Sequence, residues 1–403
     1  MKTYILKPTM TFKTVADASA TLKLRDKDSA AITESIAPAP KPKSALAASL
    51  PPVQPLPKPV IDPNKPMIKL GLDVHLLFIM AAIQRGHTTP QAPRRFTDSE
   101  LAAQIKLWIA EGFQVFCVQE SCGFGFTLHR QLVEAGAQSF VITPIDLNGK
   151  RKTDKLDARA LCQRLTRFLD GDPNELSPIR IPSETEQRKR EVSRRRKFLQ
   201  KLLRSLANRG HGQVAEYLHV PLPHRWWGAR NWKKVSALMD PWLRDLLSSL
   251  REVILALETQ LTELDKLLVQ RVRAQVIPKG LGEISLVTLD AEVCDWNRFF
   301  NRKQIGSYTG CCPGEHSSGG KRRLGSIDRM GNGRVRAILV EAVWRFLKWQ
   351  PGWKSAQKFK LKLADGAAMK KKAVVALARQ LAIDLWRWRT GRVTMVDLGW
   401  IVA

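Results

Sequence analysis

Residues 67–83 read MIKLGLDVHLLFIMAAI. Ile68, Leu70, Leu72 and Val74 alternate with Lys69, Gly71 and Asp73, the period of two expected of a strand. The wholly apolar run 76–83 predicts a second strand, and a third is expected within 91–96. Thr97-Asp98-Ser99-Glu100 has the form of a capping box and predicts a helix to Glu111, with Gly112 as its stop. A strand over 113–120, a helix over 126–135 ending at Gly136, a strand over 139–143 and a helix from Thr153 complete the segment.

Three strands, then helix, strand, helix, strand and helix, is the element order of a ribonuclease H-like fold. The expected class is therefore α/β plus α, with the ribonuclease H-like domain at 67–180. Upstream, residues 1–66 carry 11 of the 23 prolines and predict a disordered, Pro-rich leader. Met67 is a candidate start. Downstream, 181–275 reads as a basic helical or coiled-coil arm. Residues 188–209 hold ten Lys/Arg against the single acid Glu191, and Leu250, Ile254, Leu257, Leu261, Leu264 and Leu268 recur at three- and four-residue steps. HVPLPHRWWGARNW, 219–232, interrupts the helix; its Trp226, Trp227 and Trp232 are expected to pack between helices rather than stack on bases. A mainly helical C-terminal domain is expected over 276–355, followed by a basic helical tail over 356–403.

Charge narrows the function. The 403 residues carry 66 Lys+Arg against 37 Asp+Glu, a formal charge of +29. Such an excess is self-repelling without a polyanion, so nucleic acid is the expected partner. Six cysteines without a CxxC pair or a His at ligand spacing argue against structural zinc and point to a reducing cytoplasm. The longest apolar run falls well short of the roughly 18 residues that suggest a membrane helix.

Four carboxylates stand out by position. Asp73 lies within a strand, Glu120 ends one directly before SCGFG, and Asp154 and Asp157 sit at i and i+3 in KTDKLDAR, on one helix face. Brought together, they would make an oxygen-rich, strongly negative pocket suited to Mg²⁺, with two ions serving a phosphodiester displacement. A second cluster, GCCPGEHSSGGKRRLGSIDRMGNGRVR at 310–336, places Ser317 and Ser318 before two glycines and then Lys321, Arg322 and Arg323. Small residues allow close backbone approach to a phosphate, and the cations would hold it. The spacing is not that of a P-loop. With no base but His316 beside it, Ser318 would need the acidic pocket as its activator. Gly280 and Gly282 precede a helix and are candidates to present N–H groups to a phosphate, as Arg188, Lys189, Arg190, Arg194, Arg195, Arg196 and Lys197 are for nucleic acid generally.

GLDVH, QESCGFG, KTDKLDAR, PKGLGE and SYTGCCPGEHSSGGKRRLGSIDRMGNGRVRAILVEAVW, in this order over residues 67–355, resemble the insertion-sequence-110 family, the DEDD transposases. The resemblance implies a RuvC-like nuclease domain, a helical arm and a C-terminal transposase domain. It places the metal carboxylates at Asp73, Glu120, Asp154 and Asp157 and the catalytic serine at Ser318, with Ser317 the lesser choice. It also implies a structured bridge RNA pairing with donor and target DNA, a covalent phosphoserine–DNA link, and a homodimer or homotetramer with composite active sites in a prokaryotic cytoplasm. The chain departs from the family in its leader, in GLG where GVG or GIG is usual, and in Leu76 after His75 where Lys is usual. Two other readings are a ribonuclease H-like nuclease or junction resolvase, in which metal-bound water cuts, and an inactive nucleic-acid-binding relic.

Overall fold

The computed structural model describes residues 59–144, 153–315, 320, 323–364 and 366–402. The leader up to residue 58 lies outside them, as do Ser317, Ser318, Lys321 and Arg322 of the second cluster. The chain is mixed α/β, mostly helical, and divides between Ser183 and Glu184 into two compact units.

The first unit is a five-stranded sheet flanked by helices. Its elements are β1 (Met67–Val74), β2 (Ile79–Arg85), β3 (Arg94–Phe96), α1 (Asp98–Ala110), β4 (Gln114–Glu120), α2 (Thr127–Glu134), β5 (Gln138–Ile142) and α3 (Asp154–Leu169). The strand order is β3-β2-β1-β4-β5. β2 is antiparallel to β1 and β3, whereas β1, β4 and β5 are mutually parallel. β2 begins three residues later than its apolar run suggested. Leu76 and Leu77 form the turn and are 75% and 82% exposed, and the turn is closed by His75 N–H donating to the Phe78 carbonyl at 2.9 Å.

The alternation in β1 decides which helix covers which face. Ile68, Leu70 and Leu72 pack with Leu101, Ile105 and Trp108 of α1, all buried. Burying each such side chain contributes about 1.5–3 kcal/mol. The other face meets α3 so closely that a Cβ on Gly71 would stand 2.2 Å from the Ala158 carbonyl oxygen and 2.3 Å from the Cys162 nitrogen. Only glycine permits this approach, and it sets the first turn of α3 beside the end of β1. α1 starts as its capping box requires: Thr97 Oγ1 accepts from Glu100 N–H, and the Glu100 carboxylate accepts from Thr97 N–H.

The second unit opens with an antiparallel helical hairpin, α4 (Glu184–Leu218), α5 (Ala229–Ser236) and α6 (Pro241–Gln270). The 35 residues of α4 make a helix about 52 Å long. Trp226 and Trp227 are buried at the far end of the hairpin with Val214, Leu243 and Leu247. The Trp226 indole donates to the Ala207 carbonyl at 3.1 Å, and Gly210 leaves room for its ring.

Next come α7 (Glu283–Val293), α8 (Arg302–Tyr308), the short pair β6 (Pro313–Glu315) and β7 (Leu324–Ile327), and α9 (Gly333–Trp349). α10 (Lys354–Gln357), α11 (Lys360–Ala364), α12 (Gly366–Arg389) and α13 (Met395–Leu398) follow. The stretch read as a basic tail is core. Val374, Leu377, Ala378, Leu381 and Leu385 of α12, with Met395, Leu398 and Trp400, pack with Leu286, Leu339, Phe346 and Trp353. Asp384, buried on α12, accepts hydrogen bonds from the Trp353 indole, Ser355 and Gln380. The lysines at 370–372 dominate the composition at one end of α12, while its apolar stripe at three- and four-residue steps decides the packing.

Candidate metal centre and nucleic-acid interface

Asp73 is the last but one residue of β1, and Asp154 opens α3. His75 joins them: its Nε2 lies 3.2 Å from Asp73 Oδ2 and 3.4 Å from Asp154 Oδ2. One ligand atom from each of the three residues falls within a set spanning 4.8 Å. The imidazole stacks on Phe78, ring centroids 4.5 Å apart, and Arg95 also lies over the Phe78 ring, 4.4 Å from its centroid.

Asp157 and Glu120 stand outside this tight set. Asp157 is one turn along α3, on the face of Asp154, and one of its carboxylate oxygens is buried with no hydrogen-bond partner. Glu120 follows Gln119, whose register partner is Leu72, so Glu120 and Asp73 occupy corresponding places on neighbouring parallel strands. Burial pushes the Asp73 carboxyl above its usual range; His75 opposes the rise, and the charges of Asp154 and Asp157 add to it. Carboxylates gathered at one strand end and one helix start, with an Asp157 oxygen buried and unsatisfied, are the donor set a divalent cation would satisfy. The His75 nitrogen makes this set less purely oxygen than Mg²⁺ alone favours and also accommodates Mn²⁺. The α3 N-terminus, capped by Thr153 accepting from Leu156 N–H, favours the two acids of its first turn by its dipole.

In the second unit the basic run of α4 resolves into cations with different work. Arg190 donates to the carbonyls of Ala291 and Glu292 at 3.2 and 2.9 Å, closing the end of α7. Arg194 donates to both carboxylate oxygens of Glu292, at 3.0 and 3.1 Å. Arg196 makes a bidentate pair with Asp265 of α6, and Arg188 stands 3.8 Å from Glu184. Lys189, Arg195 and Lys197 have no carboxylate within ion-pair distance among the described residues. Gly280 and Gly282 both have positive φ, 94° and 75°, and Gly282 caps α7. The carbonyl of Gly280 accepts from Arg345 Nε at 2.8 Å, so the turn is anchored to α9. Arg323, just past the undescribed basic pair, is exposed.

The sequence reading did not pick out His75 as a ligand, although GLDVH displayed it, nor the buried Glu292. Asn332 caps α9, its side-chain oxygen accepting from Arg334 and Val335 N–H, and its amide donates to Glu292 at 3.0 Å. Tyr308 donates from its hydroxyl to the Glu292 carbonyl at 2.7 Å. The Asn332 end of the loop 309–332 is thus tied to α4 and α7 through the Glu292 carboxylate, and the Tyr308 end to α7 through the Glu292 backbone carbonyl.

Residues 277–358 match the family described as transposase IS116/IS110/IS902. The transposase candidate y4rJ of Sinorhizobium fredii is 26% identical over 322 residues, spanning 72% of this chain and 81% of the relative. The transposases for insertion sequence elements IS1111A of Coxiella burnetii and IS1328 of Yersinia enterocolitica are each 24% identical. Those alignments span 69% of this chain and 78% and 83% of the relatives. The chain is thus similar to IS110-type transposases, through the family match over residues 277–358 and through these relatives. The segment carrying the family match runs from the Gly280–Gly282 turn through the 310–332 loop and α9 to α10. Among the described residues, no helix is long and apolar enough to cross a membrane.

Proposed function

We propose that this protein cuts and rejoins DNA strands as the transposase of an insertion sequence. Its first unit would act as a ribonuclease H-like, RuvC-like nuclease domain carrying Asp73, Glu120, Asp154 and Asp157, and Ser318 would be the nucleophile. The observation that carries this reading is the convergence of Asp73 and Asp154, from a strand end and a helix start, around His75. The strand order β3-β2-β1-β4-β5, with β2 alone between antiparallel neighbours, supports the nuclease fold.

Mg²⁺ or Mn²⁺ held by the carboxylates would supply charge neutralisation at the scissile phosphate and a lowered hydroxyl pKa. The chain's own part is positional. Gly71 lets α3 sit against β1, so Asp154 and Asp157 face Asp73. Phe78 holds the His75 ring in place. Ser318 Oγ would form a bond to phosphorus while the bond from phosphorus to one deoxyribose oxygen breaks, the freed oxygen taking up the serine's proton. Attack by a second strand's hydroxyl on the phosphoserine would reverse this and rejoin DNA. The charge of +29 supports donor and target DNA, and a structured bridge RNA, as partners of a homodimer or homotetramer.

A second reading, a metal-dependent nuclease or junction resolvase without a serine step, draws on one observation: the acidic cluster lies wholly within the first unit. Purified protein with its co-purifying RNA, element-end DNA and Mg²⁺ separates the two. The transposase reading expects joined products and a covalent protein–DNA adduct, both lost in Asp154→Asn, with the adduct also lost in Ser318→Ala. Cleavage that survives Ser318→Ala without any adduct would favour the nuclease. Joining by Asp73→Asn and Asp154→Asn protein at the normal rate would remove the metal centre from the mechanism.

A further inference from the structure

One face of α4 is built unlike the rest of the helix. Arg194, Lys197, Phe198, Lys201 and Arg204 fall at i, i+3, i+4, i+7 and i+10, the spacing that ordinarily makes an apolar stripe. Here, together with Gln200 and with Arg334 at the start of α9, they line an open cavity of about 450 Å³. Phe198 is 59% exposed within this ring of cations. Lys197, Lys201 and Arg204 have no carboxylate within ion-pair distance among the described residues. Among the described residues no acid lines the cavity; beside it Arg194 grips the wholly buried Glu292, and Arg334 lies 3.9 Å from the same carboxylate.

We propose that this cavity binds one unpaired nucleotide of a nucleic-acid strand, its base stacked on Phe198 and its flanking phosphates on Lys197, Lys201, Arg204 and Arg334. Three features point to that chemistry rather than to a bare phosphate. The volume exceeds what one phosphate fills. An exposed aromatic ring among cations is the arrangement by which single strands are held, base on ring and backbone on charge. Duplex DNA keeps its base faces stacked and offers only its backbone. The walls are fixed before any ligand arrives: Arg194 on α4 and Asn332 at the start of α9 both bond the Glu292 carboxylate, at 3.0–3.1 Å. A preformed site loses less ordering entropy on binding. Nucleotide capture here does not depend on the acidic cluster of the first unit.

The test uses full-length protein, fluorescein-labelled 12-nucleotide single strands of one mixed sequence as RNA and as DNA, and the corresponding DNA duplex. Affinity is read by anisotropy across a salt series. Phe198→Ala should weaken at least one single strand about ten-fold, leave its salt slope unchanged and leave duplex affinity intact. Phe198→Tyr should restore binding. Lys201→Gln and Arg204→Gln should each weaken binding and flatten the single-strand slope by about 0.7. The strand that loses affinity, RNA or DNA, identifies the source of the nucleotide; loss in either arm supports the site. Unchanged affinity for both strands in Phe198→Ala would overturn it. So would equal losses for single strands and duplex, or a change of oligomeric state with affinity intact, which would make Phe198 a contact between copies. Phe198 is exposed, so its truncation should leave the melting temperature unchanged. Asp154→Asn protein should bind these probes normally, so failure of the metal centre and failure of this site give different results.

Discussion

Arg194 and Glu292, 98 positions apart in sequence, meet through two parallel hydrogen bonds on a carboxylate that is wholly buried. Burial alone would push the Glu292 carboxyl up, but the bonds from Arg194 and Asn332 outweigh it and hold the group below its usual value. Removing one partner of such a pair strands a charge. Arg194→Ala should destabilise the second unit by about 3 kcal/mol, the lower end of the range because the Arg194 side chain is one-third exposed. Urea unfolding followed by tryptophan fluorescence would measure it. A carboxyl with a depressed folded pKa contributes stability that is complete above its unfolded pKa, near 4.3, and is lost as pH falls through the folded pKa. Glu292→Gln should remove this acid-side loss; an unchanged acid limb would show that the carboxylate is not charged in the folded protein.

Lys69 poses the opposite case. It is fully buried on β1, its Nζ has no hydrogen bond, and the nearest carboxylate oxygen, on the half-exposed Asp170, is 3.9 Å away. Burial lowers its pKa, and Asp170 recovers only part of the shift. The unfolded chain therefore binds a proton more readily, and stability should rise with pH from the folded pKa up to the unfolded value near 10.4. Lys69→Met, which keeps the stem and removes the charge, should raise the melting temperature at neutral pH and abolish the alkaline gain. A lower melting temperature at pH 7 would mean that Asp170 compensates the buried charge fully.

Gly71 sets the distance between β1 and α3. A methyl group there would strike backbone atoms of Ala158 and Cys162, which have no rotamer to yield. Gly71→Ala should push α3 away from the sheet at a cost of about 1–3 kcal/mol or more. It should also loosen the Asp73–Asp154 approach without touching either carboxylate. Hydrogen exchange of β1 and α3 peptides would show faster opening, with α7–α9 peptides unchanged; unchanged β1 exchange would contradict the packing.

What the sequence displayed and what it concealed follow from the range of the forces involved. The β1 alternation, the Thr97 capping box and the Thr153 start of α3 are local and were legible. So was the sharing of one helix face by Asp154 and Asp157. The boundary of β2 was not, because Leu76 and Leu77 look like strand residues yet lie exposed in the turn. In residues 356–403 the clustered lysines mask the apolar stripe of α12, which packs in the core. The basic run 188–197 could be recognised as basic, but its division into Arg190, Arg194 and Arg196, which hold the fold, and Lys189, Arg195 and Lys197, which do not, depends on Glu292 and Asp265 arriving from far along the chain. His75 was visible in GLDVH, but the turn that swings its ring between two aspartates was not.

The acidic cluster makes a two-sided prediction. Without a cation, Asp73, Asp154 and Asp157 repel one another; burial is the main cause of the raised Asp73 pKa, and the charges of Asp154 and Asp157 add to it. Asp154→Asn relieves part of that repulsion. In the absence of divalent ions it should therefore leave the first unit as stable as the parent or slightly more so, by a few tenths to about 1 kcal/mol given the exposure of Asp154. Adding Mg²⁺ or Mn²⁺ reverses the order, because a ligand that binds only the folded state stabilises it by RT ln(1 + [L]/Kd), about 2.7 kcal/mol at a hundred-fold excess over Kd. The parent should gain this and Asp154→Asn should not. Mn²⁺ should act at lower concentration than Mg²⁺ if the His75 nitrogen joins the ligands, and His75→Ala should erase that preference while keeping a response to both ions. Scanning calorimetry of the three proteins, metal-free and with each ion, decides it. A parent protein whose melting is indifferent to both ions, or an Asp154→Asn protein that responds as fully as the parent, would show that these carboxylates do not form a metal site.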